Sequence, residues 1–124
     1  MTEDQAFDYL YDRAIAHDMT VGELLSRTPE SVSDCYIESA DFWQSKDISH
    51  IYPQSTHPEL ADVPGNIVPE DPSVNRSRGA EVMTDQEVAT AVSKADADAE
   101  LIDSMYNHDG TSGFLDNQYF FAWL

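Results

Sequence analysis

The longest periodic run in this chain is Met83–Tyr106, which reads MTDQEVATAVSKADADAELIDSMY. Thr84 is followed three residues later by Glu87, a capping-box pattern with which helices begin. Apolar side chains then recur at helical spacing and predict one stripe along the helix. Its members are Val88, Ala91, Val92, Ala95, Ala99, Ile102 and Tyr106. Because the stripe is narrow and rich in alanine, we expect a partner helix to approach it closely.

Rows of carboxylates accompany the predicted helices. On the long helix the row runs along one edge at spacing i, i+4, i+7, and it consists of Asp96, Glu100 and Asp103. A second row is predicted on a helix over residues 30–45, opposite an apolar side made of Val32, Cys35, Tyr36, Ser39 and Trp43; that row is Glu30, Asp34, Glu38 and Asp41. A third row follows the first helix at i+4 and consists of Asp4, Asp8 and Asp12.

Capping boxes also mark the N-terminal helices, with Thr2 before Gln5 and Thr20 before Glu23. The patterns predict helices over 6–17, 20–27 and 30–45. On the first of these, the residues predicted to share the apolar face are Phe7, Leu10, Tyr11, Ala14 and Ile15. The three helices loosely resemble a helix-turn-helix unit, but the carboxylates of the third would repel phosphate, which argues against DNA recognition.

Residues 47 to about 80 lose the helical period, and prolines and glycines recur there. Short apolar pieces at Ile48–Tyr52 and Ile67–Val68 are expected to lie on the core as extended segments. The segment is either an ordered wrap or a mobile arm, and both remain open. The sequence therefore predicts a mainly α, small single-domain fold over 1–124. It combines a three-helix unit (1–46), a Pro-rich irregular connector (47–82), and a long helix with an aromatic tail (83–124).

The charge balance restricts the classes of partner. The chain has 24 acidic and 6 basic residues, a formal net charge of −18. Direct binding to nucleic-acid phosphates needs cationic side chains, and anionic membranes repel such a surface, so neither is expected. The acidic N-terminus lacks the features of a signal peptide, and no apolar run is long enough to span a membrane. The single cysteine, Cys35, allows no intrachain disulfide, so we expect a cytoplasmic protein.

No pattern in the sequence selects a reaction, a metal or a cofactor. There is no Gly-rich phosphate loop, nucleophile elbow or metal triad. A calcium loop around Gly110 would need a carboxylate at its first position, where Met105 stands. The histidines lack zinc-ligand spacing; they are His17, His50, His57 and His108. We therefore expect no enzymatic activity, no cofactor and no metal, and we expect Cys35 to be a small core residue.

The carboxylate rows suggest a binding function. Residues four apart on a helix are separated by about 6 Å along its axis, similar to successive phosphates of a nucleic-acid strand. In size and charge the chain resembles the DNA mimics of phages and mobile elements, a class that no sequence motif defines. The hypothesis is an inhibitor, acting in a host cytoplasm, that covers a basic, nucleic-acid-binding surface of a partner protein. The predicted partner-binding residues are Glu30, Asp34, Glu38, Asp41, Asp96, Glu100, Asp103, Asp4, Asp8 and Asp12.

Two other interpretations stay open. The C-terminal tail is rich in aromatic residues, so it either packs on the core or forms a homodimer contact through Phe120, Phe121 and Trp123. The dimer would suit a virion-associated or other assembly protein. Alternatively, the acidic surface is only an adaptation to a high-salt cytoplasm, and the rows of charge are solvated helix faces.

Overall fold

The computed structural model describes residues 1–107 of the chain, and the predicted fold class is confirmed because this part is mainly helical. The helices are α1 (Glu3–Ile15), α2 (Val21–Ser26), α3 (Glu30–Ser33), α4 (Tyr36–Gln44), α5 (Pro72–Arg78) and α6 (Asp85–Asn107). The strands are β1 (Asp47–His50) and β2 (Ile67–Glu70). All three predicted capping boxes are formed, at the starts of α1, α2 and α6.

Helix α4 lies at the centre of the fold, because it packs against α1, α3 and α6. Its Phe42 and Trp43 are fully buried, together with Leu10 and Leu24. The narrow seam predicted for α6 is confirmed: Ala91, Ala95 and Ala99 are buried, and Val88 and Ile102 are half-buried. Val92 and Tyr106, which were also predicted for the stripe, are exposed.

The single helix predicted over residues 30–45 is wrong, since the chain leaves the helical conformation at Asp34 and Cys35. Cys35 has φ −134° and ψ 119°, an extended conformation, and α4 begins after it. The hydroxyl of buried Ser39 donates to the carbonyl of Val32 at 2.7 Å, which satisfies an acceptor at the end of α3. The four carboxylates predicted as one row therefore belong to two separate helices and the turn between them. Cys35 is half-buried rather than a core residue.

The buried face of α1 also differs from the prediction. It is formed by Ala6, Leu10 and Ala14, whereas Phe7, Tyr11 and Ile15 are exposed. The small side chains of Ala6 and Ala14 let α4 approach α1 closely, so the larger residues of the neighbouring row stay outside this contact.

The connector is ordered in the described structure. Strands β1 and β2 pair antiparallel, with Asp47 opposite Glu70 and His50 opposite Ile67, so the extended segments predicted around Ile48 and Ile67 are confirmed. Between them lie two short 3-10 helices, Pro58–Leu60 and Pro64–Asn66. The Asn66 side chain holds this loop, because its amide donates to the Tyr52 and Leu60 carbonyls and its oxygen accepts from the Tyr52 N–H. Helix α5 was not predicted.

Some predictions lie outside the described residues. These are the packing of the aromatic tail and its contact residues Phe120, Phe121 and Trp123. Within residues 1–107, no helix is long and apolar enough to cross a membrane.

Candidate protein-interaction surface

Lys46 is one of the chain's six basic residues, and it is used inside the fold. Its Nζ donates to Asp71 at 2.6 Å and to Asp98 at 2.8 Å, and its side chain is only 1% exposed. Lys94 joins the same cluster through a 2.6 Å contact with Asp98. These two lysines hold the pKa of Asp98 below its usual value, through hydrogen bonds first and charge second. The cluster therefore neutralises carboxylates where α6 meets the connector.

Two arginines of α5 pair with strand carboxylates in the same region. Arg78 forms a buried ion pair with Glu70, which raises the pKa of the guanidinium. Glu70 also accepts a hydrogen bond from Ser49 at 2.9 Å. Arg76 lies 3.8 Å from Asp47 but is itself mostly exposed. The cations of α5 thus stay beside the strands.

The remaining two basic residues donate to backbone carbonyls. The Arg13 guanidinium donates to the Tyr9 hydroxyl at 2.6 Å, to the Trp43 carbonyl at 2.8 Å and to the Lys46 carbonyl at 3.1 Å. Arg27 donates to the Ile67 carbonyl at 3.1 Å. Arg13 is the one basic residue of α1, and it caps the end of α4 rather than pairing with its own helix's acids. Both arginines therefore join elements of the fold.

The acidic row of α1, defined as Asp4, Asp8 and Asp12, is fully on the surface. All three residues are exposed. None of the ion pairs in the described part of the chain involves a carboxylate of α1, α3 or α4. The row therefore presents three aligned negative charges that the protein's own cations leave unneutralised.

Glu38 does not fit the predicted exposed row, because its side chain is buried between α4 and α6. It is 8% exposed, and its Oε1 has no hydrogen-bond partner within the described structure. Burial, followed by a hydrogen bond with Asp103 and the charge of Asp103, raises the pKa of Glu38 to about 7. The two carboxyl groups therefore share a site in which one of them tends to hold a proton near neutral pH.

The other predicted residues have different surroundings. Asp41 is half-buried and accepts a hydrogen bond from the Tyr106 hydroxyl, which raises the pKa of Tyr106 to about 12. The predicted residues that are exposed outside α1 are Glu30, Asp34, Asp96 and Glu100. The structure thus places Glu38 and Asp41 of α4 and Asp103 of α6 in contacts between the helices, whereas Asp96 and Glu100 face solvent.

An exposed apolar row runs beside the acidic row of α1, and sequence reasoning did not find it. Phe7, Tyr11 and Ile15 are 37%, 49% and 52% exposed. The Phe7 ring lies 5.3 Å from the Tyr36 ring in an edge-to-face arrangement, which links the row to the start of α4. The sequence did contain a signal for this exposure. A second apolar series on α1 with spacing i, i+4, i+8, Ala6–Leu10–Ala14, fills the core in place of Phe7, Tyr11 and Ile15.

Two further features of the described structure bring polar side chains together. A cavity of about 350 Å³ lies between β2, α5 and α6, and its wall includes Lys46, Asp71, Val74 and Lys94. His17 and His50, distant in sequence, have ring centroids 5.7 Å apart. Burial, the neighbouring His50 and Arg13 lower the pKa of His17. Within the described residues, no group of three or more His, Cys, Asp or Glu side chains is arranged to hold a metal ion.

Comparison of the chain with protein-family models, with curated proteins and with solved structures gave no match in any of the three.

Proposed function

We propose that this chain is a non-enzymatic acidic binding protein that covers a basic, nucleic-acid-binding surface of a partner protein. The concrete version is an inhibitor of the DNA-mimic type, encoded by a phage or a mobile element. One observation carries the proposal: four of the six cations serve contacts inside the fold, and the acidic row of α1 has no ion pair within residues 1–107. The acidic row therefore offers a partner three negative charges that no ion pair among the described residues offsets.

The spacing of the acidic row suits a surface that binds phosphates. Its members are four residues apart on one helix, so they repeat at about 6 Å along the axis. A basic protein surface that neutralises a nucleic-acid strand could pair with them in the same order. Such contacts speed association through electrostatic steering and weaken as salt is added. Glu30, Asp34, Asp96 and Glu100 supply further exposed charge. Glu38, which is buried, serves the contact between helices instead.

The test begins with the full chain immobilised and incubated with a lysate of candidate host cells. Bound proteins are then eluted with duplex DNA at about 50 mM salt, where electrostatic contacts are strong. Each eluted protein is purified, and displacement of labelled duplex DNA from it by this chain is followed by fluorescence anisotropy. The proposal expects at least one DNA-binding protein whose DNA is displaced, with a potency that falls as salt rises.

Matched variants connect the effect to α1. The triple variant Asp4→Asn, Asp8→Asn, Asp12→Asn should lose about tenfold or more in displacement potency. The control is Glu59→Gln, Asp62→Asn, Glu81→Gln, which removes the same charge from exposed connector positions and should lose much less. Equal losses would mean that only net charge acts, and an absence of DNA-releasable partners would contradict the proposal.

A further inference from the structure

We propose that α1 and the adjoining Tyr36 form a docking groove for an amphipathic, basic helix of a partner protein. This inference rests on the proposed function and adds the kind of segment that α1 would bind. The groove combines the apolar row Phe7, Tyr11 and Ile15 with the acidic row Asp4, Asp8 and Asp12, and all six side chains are exposed. A row of carboxylates alone would bind any cation, whereas a surface with both rows selects a partner that has apolar and basic side chains.

The apolar row is built like the centre of a protein interface. Phe7 contacts Tyr11 with ring centroids 6.4 Å apart and Tyr36 at 5.3 Å, so the aromatic side chains support one another. Aromatic side chains held in this way lose little freedom on binding, and they often supply most of an interface's energy. Exposed apolar rows of this kind, bordered by charge, are typical of binding surfaces.

The two rows are parallel, which favours a helix as the bound segment. At 3.6 residues per turn, the apolar row lies about 60° around α1 from the acidic row, between that row and the buried face. Both rows repeat every four residues, and ridges with this spacing fit the grooves of another helix. A partner helix with an apolar stripe and Lys or Arg along one edge would contact both rows at once.

Charge decides between the segments that could cover the apolar row. The chain's own tail after residue 107 contains aromatic residues but no Lys or Arg, and it carries Asp109 and Asp116. A second copy of the chain brings another net charge of −18. Either would leave the acidic row facing more negative charge, whereas a basic helix neutralises it.

One end of the groove is suited to a cationic side chain. A depression of about 410 Å³ is lined by Glu3, Asp4, Phe7, Asp8 and Tyr36. A Lys or Arg side chain that enters it would meet carboxylates together with aromatic rings, and cations are attracted to both. The depression therefore places a charged anchor beside the apolar row.

The probe for the test is a labelled synthetic peptide of about 18 leucine and lysine residues, arranged to form an amphipathic helix. A scrambled peptide of the same composition has no apolar face. Binding to the full chain is measured by fluorescence anisotropy at several salt concentrations. We expect the amphipathic peptide to bind at least about tenfold more tightly than the scrambled one, since the scrambled peptide cannot use the apolar row.

Three variants complete the experiment. Phe7→Ser, Tyr11→Ser, Ile15→Ser should weaken binding of the amphipathic peptide about tenfold or more while keeping its salt dependence. The triple variant Asp4→Asn, Asp8→Asn, Asp12→Asn should weaken the binding of both peptides and make their affinity less dependent on salt. The control removes exposed valines elsewhere, Val74→Ser, Val82→Ser and Val92→Ser, and should change affinity by less than about twofold.

Several results would overturn the inference. The first is equal binding of the two peptides, or an effect of the apolar-row variant no larger than that of the control. That result leaves the proposed function standing, because DNA displacement from a basic partner does not need the apolar row. A dimer of the full chain that the apolar-row variant converts to a monomer would assign the row to a second copy. A tenfold gain in peptide affinity for Phe120→Ser, Phe121→Ser, Trp123→Ser would assign it to the tail.

Discussion

Glu38 and Asp4 are acidic residues of neighbouring helices, yet they meet opposite surroundings. Asp4 faces water in the first turn of α1, where a negative charge is favoured by the helix dipole. Glu38 lies under α6 beside Asp103, where a second negative charge is costly. One carboxylate can therefore serve binding, whereas the other makes the packing of α4 on α6 sensitive to protons.

Replacing Glu38 by Gln should stabilise the protein at alkaline pH. The pKa of Glu38 is raised in the folded state from 4.5 to about 7, so the folded state binds this proton more tightly than the unfolded state. Its stabilising contribution is present below the unfolded pKa and is lost as pH rises through about 7. Glu38→Gln cannot ionise, so its free energy of unfolding should exceed that of the wild type by about 1–3 kcal/mol at about pH 8.

Near pH 5 the difference in free energy of unfolding between Glu38→Gln and the wild type should shrink to less than about 1 kcal/mol. At that pH, Glu38 is mostly protonated in the folded wild type. Thermal or urea unfolding at both pH values measures it. Glu100→Gln is the control, since it makes the same substitution at an exposed position of α6. A Glu38→Gln variant that is less stable than the wild type at every pH would contradict the assignment.

At the scale of elements, the sequence predicted the local features that depend only on residues close together in the chain. The capping boxes of α1, α2 and α6 formed as expected, because each needs only residues three apart. The break between α3 and α4 could not be predicted, because the apolar period continues across it. It is stabilised by Ser39 reaching back to Val32, a contact that exists only after the helices pack. For the same reason the burial of Glu38 and the exposure of Phe7 were missed.

The alanine seam of α6 is a feature of the sequence whose energetic consequence can be measured. Ala99 is fully buried in the core that α6 shares with α3 and α4. Ala99→Leu should therefore lower the free energy of unfolding by about 1–3 kcal/mol, because the larger side chain forces the helices apart. Ala97→Leu makes the same change on the exposed side of α6 and should stay within about 0.5 kcal/mol of wild type. Equal effects of the two substitutions in urea unfolding would show that the seam is not closely packed.

At the scale of the whole molecule, most of the positive charge is used in contacts inside the fold, and the exposed cations Arg76 and Lys94 pair with nearby carboxylates. Arg78 forms an ion pair with the buried acid Glu70, and Lys46 and Lys94 form ion pairs with Asp71 and Asp98. Glu38 can keep a proton instead. The acidic row of α1 instead faces water. Composition predicted the excess of acids, but which carboxylates stay unpaired depends on long-range contacts such as Lys46 with Asp98. The surface is therefore more uniformly negative than the count of cations suggests.

This distribution of charge allows the two explanations of the acidic surface, partner binding and adaptation to high salt, to be distinguished by experiment. A protein whose acidity only suits a high-salt cytoplasm should unfold when salt is removed, since its carboxylates rely on solvent cations. Here the buried carboxylates are neutralised from within, so we expect the chain to remain folded at about 10 mM salt. Its melting temperature should rise by only several degrees on going to about 0.15 M, as screening relieves the repulsion between exposed carboxylates. Thermal melts followed by circular dichroism over this range provide the measurement. Loss of helical signal at low salt and its recovery only near molar salt would favour the adaptation and remove the main support for the acidic row as a binding surface.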